Sequence, residues 1–171
     1  MRIASSACVA CAAALSLTAV LAPGCGSASA LEGKDAPAFS LKDIDGDTIS
    51  LEQLKGRGVI LSFFFVGCGP CRAEAPYLSK LAEKYWEKGL RVVAINVRPE
   101  ETVDVVGQFA RSQNLKHLLL VGGSEVAMRY DVHAVPANFF IDKWGKVVGS
   151  EVGFDPQALE AGALKVLPSS N

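Results

Sequence analysis

The 171-residue chain predicts an α/β domain with a central mixed sheet flanked by helices, and three observations carry that expectation. Apolar runs of strand length alternate with segments whose apolar residues recur at helical spacing. The alternation closes in a hairpin followed by a last helix. A Cys-Gly-Pro-Cys segment falls where the first long apolar run gives way to a helical pattern.

Taken in order, residues 31–35 are a short polar lead-in. Residues 38–41 and 45–49 predict a hairpin whose turn contains Asp45-Gly46. One helical turn is expected over 51–55. Residues 58–66 hold Val59, Ile60, Leu61 and three consecutive Phe, the pattern of a central strand covered on both faces. After the cysteines, Tyr77, Leu78, Leu81, Ala82, Tyr85 and Trp86 recur at helical spacing until Gly89 stops the helix. A strand over 90–97, a helix over 100–113, a strand over 118–121 and a helix over 124–130 continue the alternation. Residues 137–142 pair with 146–152 through the turn Asp142-Lys143-Trp144-Gly145, and a helix over 156–167 precedes a short tail, 168–171, expected to fray. Neither an internal repeat nor a second domain is visible.

Half of the residues are apolar, enough for a well-buried core. With 17 Lys plus Arg against 18 Asp plus Glu, the chain carries no electrostatic footprint for nucleic acid and no basic membrane-binding face. Residues 1–30 stand apart. Arg2 is their one charge, an apolar run covers 3–21, and Pro23-Gly24 leads into the small-x-small sequence Ala28-Ser29-Ala30, the pattern of a secretory signal cleaved after Ala30. The run also has the length of a membrane anchor, but its flanks favour cleavage. Ala22-Pro23-Gly24-Cys25 offers a second processing route, a lipobox with Cys25 as the lipidated residue, although Leu21 lies four residues before the Cys rather than three. Either route makes 31–171 an extracytoplasmic domain. Cys8 and Cys11 then belong to a signal core, and Cys68 and Cys71 are the thiols left in a compartment where disulfides persist.

Placed between a buried strand and a helix, Cys68 lies near a helix N-terminus, where unpaired N–H groups and the macrodipole favour a thiolate. This makes Cys68 the candidate nucleophile. Cys71, one turn on and more buried, is the candidate resolving thiol, while Gly69 and Pro70 shape the intervening turn. A structural disulfide and half of a zinc site are the alternatives. Zinc would need two more ligands, and the histidines available, His117 and His133, form no ligand pattern.

The segment VILSFFFVGCGPCRAEAP over residues 59–76 resembles the active-site segment of thioredoxin-like proteins, particularly the TlpA/ResA family. Cys68 to Pro76 fit that family's CxxCxxExP pattern, and Val135-Pro136-Ala137-Asn138 resembles its cis-proline strand. The similarity spans about residues 33–167. It implies a thioredoxin-like fold with an N-terminal hairpin and a strand–helix insert near 117–130. It also implies Val135 and Pro136 as a backbone site for an extended substrate peptide, with Gly69 and Pro70 beside it. Two departures qualify the transfer: Ser62 stands where thioredoxins have a buried Asp, and Gly67 where most relatives have Trp. With no carboxylate at 62, Glu74 becomes the candidate acid–base group, its alternative being a solvated helix residue. His133 reads as a rim residue and His117 as structural or exposed.

The resemblance implies a reductase of protein disulfides, with no cofactor beyond the Cys68–Cys71 couple. Apocytochrome c or a metal-site assembly factor is the implied substrate, a membrane thiol-electron transporter the implied donor, and the chain is expected to be a monomer. A copper chaperone or metal-binding module on the same fold is the competing reading, weakened by CxxC spacing where such modules use CxxxC. A thiol peroxidase would need Thr or Ser at the position of Phe65.

Overall fold

The computed structural model describes residues 30–168. The leader 1–29, with Cys8, Cys11 and the lipobox Cys25, and the tail 169–171 lie outside the described residues. A hairpin of β1 (Ser40–Lys42) and β2 (Thr48–Ser50) comes first, its turn closed by Asp43 Oδ1 accepting from the Asp45 and Asp47 N–H groups. A 3-10 turn (Glu52–Leu54) leads to β3 (Gly58–Phe64), α1 (Gly69–Tyr85), β4 (Leu90–Asn96) and α2 (Val103–Ser112). Then come β5 (Leu118–Leu120), α3 (Ser124–Arg129), β6 (Ala137–Ile141), β7 (Val147–Val152) and α4 (Pro156–Val166). The five-stranded sheet has the order β5-β4-β3-β6-β7, parallel across β3, β4 and β5 and antiparallel across β6 and β7. The mixed sheet and the separate hairpin agree with the expected fold.

Every residue of β3 is buried, because helices cover one sheet face and α3 with the hairpin cover the other. Val59, Leu61 and Phe63 point to the α3 side, where Phe63, Tyr130 and Phe139 pack ring to ring. Ile60 points to the other side, under α1 and α4, with Leu78, Leu81, Phe140 and Leu159. Full burial of such side chains contributes roughly 1.5–3 kcal/mol each. On this same face, near the N-terminus of α1, Phe64, Ala94, Phe109 and Leu119 surround the two cysteines.

Two element boundaries beside the cysteines differ from expectation for one reason. The strand expected to reach 66 ends at Phe64, and the helix expected from 100 starts at Val103. The Val66 N–H donates to the Glu101 carboxylate at 2.8 Å instead of joining a ladder, and Glu101 also accepts from Asn96 Nδ2. Glu101 is therefore committed to holding the loop that leads into Cys68. Its own N–H closes a turn on the Arg98 carbonyl.

Gly162 lets α4 approach the sheet: a Cβ there would come within 2.1 Å of the Phe140 ring. Gly162→Ala is accordingly expected to destabilise the domain by about 1–3 kcal/mol through overpacking. Urea unfolding with an unchanged m value is the check.

Candidate functional site: a disulfide at a helix N-terminus

Cys68 is the N-cap of α1, with Gly69 and Pro70 in the first helical positions and Cys71 following. Pro70 fits there because the first helical N–H groups have no intrahelical partner. Cys68 and Cys71 form a disulfide with an S–S distance of 2.04 Å. Cys68 Sγ accepts from the Cys71 N–H at 3.1 Å, so a donor already faces the sulfur that would carry thiolate charge. Cys71 is the more buried of the pair, 2% exposed against 6% for Cys68, while Gly69 and Pro70 are exposed.

Across from the disulfide the Val135–Pro136 peptide bond is cis, and the Val135 carbonyl oxygen lies 3.8 Å from Cys68 Sγ. Among the described residues no other backbone group bonds the Val135 N–H or C=O. A surface groove runs from there between Phe65, Arg98, Met128 and His133. Gly67 removes one aromatic surface, but the Phe65 ring lies against Gly67 and carries the Arg98 guanidinium 4.7 Å from its centroid. An aromatic contact thus persists beside the nucleophile position. His133 is exposed at the rim of this groove, with Nε2 2.9 Å from Asp131 Oδ1.

Behind the pair, Glu74 is 1% exposed, which rules out a solvated helix residue. Its Oε1 accepts from Ser62 Oγ and its Oε2 from Asn138 Nδ2, each at 2.9 Å. Burial outweighs these two bonds and raises its pKa from 4.5 to about 7. Asn138 Oδ1 is buried without a partner. A rotated Asn138 amide would offer that oxygen to a protonated Glu74, so the cradle suits both charge states. Ser62 and Asn138 are directly paired across β3 and β6, which places both donors under the helix.

A cavity of about 10 Å³ lies behind Cys71 and is lined by Cys71, Glu74 and His117. His117 is buried, with Nδ1 2.9 Å from Ser79 Oγ, and burial lowers its pKa from 6.5 to about 4. Among the described residues no group of three or more His, Cys, Asp or Glu side chains is arranged to hold a metal ion.

Residues 31–167 match the Redoxin family. The chain belongs to the Redoxin family. Thiol-disulfide oxidoreductase ResA of Bacillus cereus is 38% identical over 138 residues, covering 80% of this chain and 79% of the relative. ResA of Bacillus subtilis is 38% identical over 136 residues, covering 79% and 75%. Among solved structures, a Chlorobium tepidum protein assigned as thiol:disulfide interchange protein DsbE superposes with a TM-score of 0.74 at 30% identity, covering 80% of this chain and 98% of that one. This Redoxin-family chain is a thiol–disulfide oxidoreductase of thioredoxin-like fold, related to the ResA group, and disulfide-bearing proteins are its substrate class. No helix among the described residues is long and apolar enough to cross a membrane.

Sequence reasoning missed Ser62 and Asn138 as the cradle of Glu74, Glu101 and Asn96 as the support of the loop before Cys68, and His117 as a cavity residue. For Glu74 a signal was present: Cys71, Glu74, Ala75, Leu78, Ala82 and Tyr85 form one helical stripe, and a Glu on a buried stripe predicts an unusual carboxyl. For His117 none was, because its partner Ser79 is 38 residues away.

Proposed function

We propose that this domain is an extracytoplasmic reductase of protein disulfides, using the Cys68–Cys71 couple with no further cofactor. The observation that carries the reading is the Cys68 sulfur at the N-terminus of α1, capped by the Cys71 N–H and facing the Val135 carbonyl. In the reduced domain the Cys68 thiolate attacks one sulfur of a substrate disulfide, and the other substrate sulfur leaves as a thiolate that takes up a proton. The substrate backbone pairs with Val135 in β-augmentation, with Pro136 behind it and Gly69 and Pro70 as the opposite wall. Cys71 then gives its proton to the Glu74 carboxylate and attacks Cys68. The Cys68–Cys71 bond forms as the mixed disulfide breaks, and two electrons have passed from the protein dithiol to the substrate.

The leader of residues 1–30 supports export, by cleavage after Ala30 or lipidation at Cys25. N-terminal sequencing of protein from the cell envelope should find Leu31 or a lipidated Cys25 first. Outside the cytoplasm the spent disulfide needs a membrane thiol-electron transporter to reduce it. Among substrates we favour a protein cysteine pair awaiting a metal or haem, as in apocytochrome c or a metal-site assembly factor, and a monomeric domain leaves the Val135 edge open to it.

Cys71→Ser expressed in the native host should accumulate Cys68-linked mixed disulfides, and mass spectrometry of the trapped partners tests the pathway. Trapped partners without such cysteine pairs would remove the maturation role. Failure to trap any partner would remove the protein-reductase reading. In a companion test, Glu74→Gln should lower the apparent thiol pKa of the reduced pair and slow resolution several-fold, read by thiolate absorbance against pH and by single-turnover reduction of a model disulfide.

A further inference from the structure

Neither histidine entered the exchange reaction above, yet one of them lies inside the site. His117 precedes β5, and its ring is enclosed between α1 and the sheet. The Lys116 N–H donates to Ser79 Oγ at 2.9 Å, so the hydroxyl proton is what remains to be placed, and the acceptor within reach is His117 Nδ1. That arrangement assigns the ring proton to Nε2. His117 Nε2 is fully buried and has no hydrogen-bond partner in the protein. The ring lines the same cavity of about 10 Å³ as Glu74 and Cys71, a space matching one water molecule.

An unpaired buried donor beside a cavity of water size, with a buried carboxyl on the same wall, is the geometry of a water-bridged pair. The titratable groups facing His117 across the cavity are Cys71 and Glu74, both from α1. β3, β4, α2 and β5 present uncharged side chains there, including Ser62, Ala94, Phe109 and Leu119. Lys116 is exposed. No charged group other than those of the site therefore competes for the imidazole.

We propose that His117 is a positioning residue for the resolving half of the reaction: through one water in the shared cavity its Nε2–H supports the Glu74 carboxylate. The proposal rests on the Glu74 role described above. Glu74 already accepts from Ser62 and Asn138, and the bridging water is a third donor to its charged form. Each donor to the carboxylate offsets part of the burial that otherwise keeps it protonated. The imidazole stays neutral throughout, in keeping with a pKa lowered to about 4. It neither gains nor loses a proton; the proton of Cys71 passes to Glu74, and His117 sets the pH at which Glu74 is free to take it.

The test uses the reduced wild-type domain and 5,5′-dithiobis(2-nitrobenzoate). Attack by Cys68 releases one thionitrobenzoate and leaves the other on Cys68; attack by Cys71 releases the second, and its rate is followed from pH 5 to 9. His117→Phe should move the midpoint of the second release upward by roughly half to one pH unit, the effect of losing one water-mediated donor to the carboxylate. His117→Gln, which restores an N–H near the Nε2 position, should return it toward wild type. In the unmodified protein, long-range ¹H–¹⁵N spectra should show His117 protonated on Nε2 across that range. A midpoint unchanged in His117→Phe, equal displacement in the Gln and Phe variants, or an Nδ1–H tautomer each overturns the proposal. Glu74→Gln run alongside separates the two claims: a flat profile there with no effect at His117 removes only the His117 role, whereas an unaltered profile in Glu74→Gln removes the Glu74 role beneath it.

Discussion

Replacing Cys68 by Ser is expected to lower disulfide reduction by at least about a thousandfold, because a hydroxyl at the same helix N-terminus carries almost no alkoxide at neutral pH. Cys71→Ser should instead preserve the first attack and stop the reaction at the mixed disulfide. The asymmetry follows from placement. Cys68 Sγ is the atom that receives the Cys71 N–H and faces the Val135 carbonyl, whereas Cys71 is turned toward Phe64, Ala94 and the cavity. Competitive iodoacetamide labelling of the reduced protein should accordingly modify Cys68 first. Preferential labelling of Cys71 would reverse the assigned roles.

The second large effect is on stability. Burial raises the Glu74 pKa from 4.5 to about 7, so between those values the folded protein holds a proton that the unfolded chain has released. Its contribution is fully present below about pH 4.5 and is lost as pH rises through 7. The loss amounts to roughly 3 kcal/mol. His117 acts in the opposite direction: its pKa falls from 6.5 to about 4, so its contribution is present above 6.5 and lost as pH falls. The two overlap and partly cancel in the wild type. Comparison with Glu74→Gln isolates the carboxyl, because Gln stays neutral and Asn138 Oδ1 is available to its N–H. Between pH 4 and 8 the difference in unfolding free energy should move in favour of the Gln variant by roughly 3 kcal/mol, measured from urea midpoints of the oxidised protein. A difference that does not change with pH would show an ordinary carboxyl at 74.

Element type and order were legible from apolar periodicity alone, because a two-faced buried strand such as β3 and an amphipathic helix such as α1 differ in period and length. The hairpin β1–β2 followed from its Asp-Gly turn, and the position of Cys68 followed from the strand-to-helix junction. The boundaries at 64 and 103 were not legible. They depend on the Glu101 carboxylate reaching back to the Val66 N–H, 35 residues away, a contact that leaves no local pattern.

By itself the sequence determined the class of chemistry: two cysteines three apart at a helix start, Cys68 and Cys71, within a CxxCxxExP pattern, have one main use. Only the tertiary structure decided the environment of the proton that accompanies that chemistry. Glu74 is a good helix former wherever it stands, and what makes it a buried, proton-holding group is the register that sets Ser62 opposite Asn138 beneath α1. His117 is likewise one imidazole in a polar stretch until the chain turn before β5 brings it to Ser79 and the cavity behind Cys71. The physical reason is common to both. Desolvation and hydrogen bonding depend on neighbours brought together from distant positions in the chain, and these set whether a titratable side chain is an ordinary surface group or part of a site.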